Sequence, residues 1–131
     1  MNIGALAKKT GIAAKTIRYY ETVGLLAAPP RSEGNYRVYG ERDVATLRFV
    51  QRARHLGFSI KEIAGLVALW HDRKRASAEV RALAVAHLDE IEGKLRELQT
   101  MQRTLRQLID RCHGDARPDC PIIDDLAMEA H

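Results

Sequence analysis

A chain of 131 residues with 21 Lys or Arg, 17 Asp or Glu and a net charge of +4 suffices for one modest domain or two small pieces, and is too short for a large enzyme cleft. Residues Met1 to Ile12 carry Lys8 and Lys9 after a mixed stretch instead of an apolar signal core, and the longest apolar run, Ala64 to Trp70, is interrupted by Gly65 and far too short to span a bilayer. A soluble, cytoplasmic protein with no membrane partner is expected.

The charge is unevenly spread. Residues 1–60 hold ten Lys or Arg against four Asp or Glu, whereas residues 61–131 hold eleven against thirteen. All four tyrosines, Tyr19, Tyr20, Tyr36 and Tyr39, fall in the basic half. A basic, tyrosine-bearing half joined to a nearly neutral one is the footprint of nucleic-acid binding, with the remainder serving another task.

In chain order, Asn2 is an N-cap for a short helix through Lys8 that puts Ile3, Leu6 and Ala7 on one face, and Gly11 ends it. A second helix is expected from about Ala13 to Thr22, stopping at Gly24, with Ile17 and Tyr20 inward and Lys15, Thr16, Arg18 and Tyr19 facing a partner. Two short helices joined by a Gly-containing turn, the second carrying cations and hydroxyls, read as a helix-turn-helix whose second helix enters the major groove of double-stranded DNA. Pro29 and Pro30 follow, then Arg31 to Tyr39, in which Glu33-Gly34-Asn35 is turn chemistry and Tyr36-Arg37-Val38-Tyr39 alternates as a short strand. This stretch is expected to form a hairpin wing whose tip and flanks reach phosphates.

Glu41 to Leu56 has the core face Val44, Leu47, Val50 and Ala53 and is closed by Gly57. Ser59 and Glu62 have capping-box spacing and start a helix with the apolar set Ile60, Ile63, Leu66, Val67 and Trp70. From Ser77 the pattern changes. Leu88, Ile91, Leu95, Leu98, Gln102, Leu105 and Ile109 alternate steps of three and four, which is a coiled-coil seam that one helix cannot bury alone. A second copy is the expected partner, and a two-fold homodimer would read a nearly palindromic operator. The fold is therefore mainly α: residues 1–70 a winged helix-turn-helix DNA-binding domain with connecting helices, 77–110 a dimerisation helix, and 111–131 a metal-binding loop and C-terminal tail.

Both cysteines of the chain flank that last loop, Cys112 and Cys120, with Gly114 permitting a turn and Pro118 and Pro121 opposing a helix. Two thiolates satisfy a monovalent soft ion such as Cu(I), Ag(I) or Au(I), whereas a divalent ion is left short of ligands unless His113, Asp115 or Asp119 joins. The spacing also fits a disulfide or inert thiols, although a reducing compartment argues against a permanent disulfide. No phosphate-binding glycine loop, nucleophile with a matching base, or paired carboxylates support an enzyme.

The residues Ile3-Gly4-Ala5-Leu6-Ala7, Thr16-Ile17-Arg18-Tyr19-Tyr20-Glu21, Gly24-Leu25-Leu26, Arg31-Ser32 and Asn35-Tyr36-Arg37-Val38-Tyr39 resemble the opening of the MerR family of transcription regulators. Cys112 to Cys120 with Pro121-Ile122-Ile123 is similar to the copper-efflux (CueR-like) branch of that family. The resemblance implies an antiparallel coiled-coil dimer, and activation by metal-dependent distortion of promoter DNA for use by RNA polymerase. It matches Cys112 and Cys120 to the thiolate ligands, Ser77 to the position where sensors of divalent ions carry a third cysteine, and Lys15, Arg18, Tyr20, Arg31, Tyr36, Arg37 and Tyr39 to DNA contacts. Pro118 resembles the gold-responsive branch and His113 fits neither, so copper, silver and gold stay open, with copper favoured. A thiol-redox regulator of the same architecture and a metal buffer or chaperone are the competing readings.

Overall fold

The computed structural model describes residues 1–34 and 37–128. Among them are six helices and no strand: α1 (Ile3–Thr10), α2 (Ala14–Thr22), α3 (Glu41–His55), α4 (Ile60–His71), α5 (Ser77–Arg111) and α6 (Pro121–Ala127). The chain divides into two compact units, Met1–Ala82 and Leu83–His131.

In the first unit the helix ends follow local chemistry. The Asn2 side chain accepts a hydrogen bond from the Ala5 N–H at 2.8 Å, and Gly11, at φ 74°, donates its N–H to the Ala7 carbonyl at 2.8 Å, a left-handed closure that suits glycine. Ser59 and Glu62 form a reciprocal capping box, with Glu62 N–H to Ser59 Oγ at 3.1 Å and Ser59 N–H to Glu62 Oε1 at 2.8 Å. Beyond α4, the Arg75 guanidinium donates to the carbonyls of Leu69, Trp70 and Asp72, supplying the helix end with a cation and hydrogen bonds.

These helices surround one core. Leu6, Ile17, Leu47, Val50 and Ile63 are fully buried, joined by Leu25, Leu26, Tyr39 and Val44. The α3 face read from the sequence, Val44, Leu47, Val50 and Ala53, is the buried one. Ile60, Leu66, Val67 and Phe58 pack against the same cluster, while Trp70 stacks on Phe49 with ring centroids 4.6 Å apart.

Of the expected wing, the described residues contain one isolated antiparallel bridge, between Arg31 and Arg37, supported by Val38 N–H to Pro30 O at 3.0 Å. Pro29 and Pro30 have no N–H to extend the ladder. Asn35 and Tyr36 lie outside the described residues.

The second unit contains the remainder of α5, the segment after Arg111, and α6. Ser77 is the first helical residue of α5. The expectation that Pro121 opposes a helix is corrected by α6. Pro121 occupies its first turn, where a missing N–H costs nothing and the fixed φ suits a helix start. Along α5, Leu88, Ile91, Leu95, Leu98, Leu105 and Ile109 are all 42–60% exposed, and Gln102 is exposed with them. The seam is thus an apolar stripe that its own chain leaves open.

Candidate functional site

The basic unit builds a surface around α2. Thr10 fixes the turn before it: its hydroxyl donates to the Leu6 carbonyl at 2.9 Å and accepts from Ile12 N–H at 3.3 Å. With Ile17 and Tyr20 anchored in the core, the helical period leaves Lys15, Arg18 and Tyr19 exposed and Thr16 half-buried on the opposite side. Arg31 is exposed and Arg37 half-buried beside it across the bridge.

Two residues expected to touch DNA are buried in the structure. Tyr20 belongs to the core, and Tyr39 is 2% exposed. The Tyr39 hydroxyl donates to Glu21 Oε1, while Arg37 Nε stands 3.5 Å from Glu21 Oε2. Glu21 therefore ties the end of α2 to the segment after the turn, and its side chain is only 9% exposed. Burial, reinforced by the hydrogen bond and charge of Glu21, pushes the Tyr39 hydroxyl pKa up to about 12. Sequence reasoning passed over Glu21. The available signal was the alternation that places Arg37 and Tyr39 on one side of an extended segment, where both need an acceptor.

In the second unit, α5 ends at Arg111, and Cys112 N–H still reaches the Ile109 carbonyl at 3.0 Å. Gly114 turns the chain at φ 66°. Asp115 then locks the turn: Oδ1 accepts from Arg117 N–H at 3.0 Å, and Oδ2 pairs with Arg117 Nε at 2.8 Å. Both groups are about half exposed, so this pair shapes the loop more than it stabilises the protein. It also occupies the Asp115 carboxylate, weakening that residue as a metal ligand. Cys120 is the N-cap residue of α6, whose Asp124 N–H bonds to the Cys120 carbonyl at 2.9 Å.

Burial singles out the two sulfurs. From Cys112 to Cys120 only the two cysteines are half-buried; everything between them, including His113, Pro118 and Asp119, is exposed. Both thiols are free. Among the described residues, no set of three or more His, Cys, Asp or Glu side chains gathers around either one. Two soft donors without a third fit an ion satisfied by two sulfurs. Ser77 is exposed at the start of α5.

Comparison with known proteins bears on both halves. Residues 1–69 match the family described as MerR HTH family regulatory protein, and residues 44–108 match the one described as MerR, DNA binding. The chain is 54% identical over 127 residues to heavy metal-dependent transcription regulator 2 of Rhizobium meliloti strain 1021, spanning 97% of this chain and 86% of that protein. It is 43% identical over 131 residues to the HTH-type transcriptional regulator CueR of Salmonella typhimurium strain LT2, spanning 100% and 95%. Among solved structures, transcription regulator PbrR691 from Ralstonia metallidurans CH34 in complex with lead(II) superposes with a TM-score of 0.87 at 37% identity, covering 97% of this chain and 99% of that one.

Proposed function

The chain belongs to the MerR family of HTH regulatory proteins, and from that premise we propose that it binds promoter DNA as a homodimer and activates transcription when Cys112 and Cys120 capture a monovalent soft ion, Cu(I) or its congeners Ag(I) and Au(I). It is a DNA-binding transcription regulator and not an enzyme. One observation carries the proposal for the ion: two free, half-buried thiols bracket an exposed turn, and among the described residues no group of three or more His, Cys, Asp or Glu side chains includes either of them. Identity to a CueR protein supports copper, while similarity to a regulator solved with lead(II) supports the wider class of heavy metals. Ser77, at the position the family resemblance assigns to a third cysteine, offers only a hydroxyl.

The ion, when bound, would link the two sulfurs and offset part of their charge. The chain's own residues set the rest. Gly114 and the Asp115–Arg117 pair bend the loop, Lys15, Thr16, Arg18 and Tyr19 present α2 to the major groove, and Arg31 and Arg37 reach flanking phosphates. The open α5 stripe supports pairing with a second copy, which would set two α2 helices on a nearly palindromic site. Activation then acts by distorting promoter DNA that RNA polymerase uses, since distortion is itself an energy difference between two states of one complex.

The test is anaerobic titration of the reduced protein with Cu(I), Zn(II) and Pb(II) under a competing chelator, with transcription from the bound promoter as the second readout. One Cu(I) per pair of cysteines and a transcriptional rise confined to monovalent ions are expected. Tight Zn(II) or Pb(II) binding with activation would refute the two-thiolate reading.

A further inference from the structure

Glu21 is the only acidic residue of α2, a helix whose exposed side carries Lys15 and Arg18. It lies in the last turn, three residues after Arg18 and therefore beside it on one side of the helix. Among the described residues no ion pair joins the two. The Glu21 carboxylate is engaged elsewhere: Oε1 accepts from the Tyr39 hydroxyl, and Oε2 stands 3.5 Å from Arg37 Nε.

The two arms of this contact do different things. Tyr39 is buried, and its hydroxyl needs the acceptor that Glu21 supplies. Arg37 has no such need, because its side chain is 36% exposed and an ion pair open to water adds little to stability. What the Arg37 arm contributes is geometry. The backbone that carries it is already fixed by Val38 N–H to Pro30 O at 3.0 Å and by Tyr39 N–H to Met1 O at 2.7 Å. Holding Nε toward α2 then removes rotamer freedom from the side chain and leaves the Nη donors of a planar fork for another acceptor.

Charge acts in the opposite sense. A carboxylate beside a phosphate-binding surface repels the ligand, so by charge alone Glu21 weakens binding to any DNA. A guanidinium held at a fixed place strengthens binding only where a phosphate stands at that place, which is the case on a duplex that α2 holds in register. The two effects differ in sign and can be separated by experiment.

We propose that Glu21 is a positioning residue that holds the Arg37 guanidinium at a set place relative to α2, so that the recognition helix and the segment after the turn grip DNA as one body. It rests on the DNA-binding reading above. Glu21 touches no DNA itself. Acting through Arg37, it favours a duplex whose backbone follows the matching path and adds nothing to the affinity for DNA in general.

The test is a double-mutant cycle of wild type, Glu21→Gln, Arg37→Ala and the combined variant, in anisotropy titrations at one salt concentration. Each binds a duplex selected by the wild-type protein from random sequence and a scrambled duplex. Arg37→Ala is expected to weaken binding to the selected duplex. Glu21→Gln should weaken it by roughly threefold to thirtyfold although a negative charge is lost, and should bind the scrambled duplex no more weakly than wild type. In the Arg37→Ala background the same substitution should cost nothing. Arg37→Lys keeps the charge without the fork and should lower the selected-to-scrambled ratio in the same way, which decides the matter even where Glu21→Gln fails to fold.

Tighter binding of Glu21→Gln to both duplexes would mean that the acid acts by charge alone. An equal loss in both Arg37 backgrounds would make it only a support for Tyr39. Either result overturns the proposal, as does an unchanged ratio for Arg37→Lys. If the wild type binds, Arg18→Ala weakens binding and Arg37→Ala does not, the proposal falls and the DNA-binding reading stands. A wild type that selects no DNA would overturn both.

Discussion

Replacing Tyr39 by Phe removes one oxygen from the joint between α2 and the bridge segment. The ring is fully packed and Phe fills the same space, so the loss is confined to the hydroxyl that Glu21 accepts. A hydrogen bond to a charged group contributes about 1.5–3 kcal/mol, and the upper part of that range is expected because Glu21 would be left nearly buried with only Arg37 at 3.5 Å. For a domain of this size about 2 kcal/mol lowers Tm by roughly 8–16 °C.

The pH dependence reports the burial of the hydroxyl and its bond to Glu21 together. With its folded pKa raised from the ordinary 10.0 to about 12, Tyr39 contributes stability that is complete below pH 10 and is lost as pH rises through 12. A shift of that size is on the order of a few kcal/mol. The wild-type advantage over Tyr39→Phe should therefore shrink between about pH 10 and pH 12, since every other group is common to both proteins. Urea unfolding followed by far-UV dichroism at one fixed protein concentration gives both curves. A neutral-pH difference below about 0.5 kcal/mol, or two curves that stay parallel across that window, would refute the tether.

Cys112→Ser and Cys120→Ser should each abolish the transcriptional response to Cu(I) while leaving promoter binding within a few-fold, as measured by footprinting; a normal response would remove the thiols from sensing. Arg18→Ala should weaken operator binding by about 1–3 kcal/mol in anisotropy titrations, and unchanged affinity and salt slope would exclude the residue from the interface. Leu98→Glu places a charge in the open stripe of α5 and should convert the dimer to monomer in sedimentation velocity, an unchanged sedimentation coefficient being the contrary result. Ser59→Ala removes the cap of α4 and should cost about 1 kcal/mol in urea unfolding, whereas no measurable change would mean that Glu62 and solvent replace it.

Features determined by near neighbours were legible from the chain. Asn2, Gly11 and the Ser59–Glu62 pair decide helix ends through bonds spanning only a few residues, and the α3 core face follows from a period within one helix. The burial of Tyr39 was not legible because the alternation of a short extended segment says which residues share a side and not which side is inward. Its partner Glu21 lies eighteen positions away on another helix. Pro121 was read as opposing a helix, yet proline at the first turn is one of the ways a helix begins. The two cysteines stood out by type and spacing, whereas their being half-buried on either side of an exposed turn is read only from the structure.

Of the 35 residues of α5, spanning about 52 Å at 1.5 Å per residue, only His87 and Leu108 are buried. So long a helix with so few shielded residues draws little cohesion from its own chain, and its durability becomes a matter of supply. Each tenfold rise in the amount of protein adds about 1.4 kcal/mol to an assembly that forms by pairing. A newly made copy, before it meets another, leaves the apolar stripe of that helix exposed, so the amount of protein present would itself help to decide how much of it stays in the paired state.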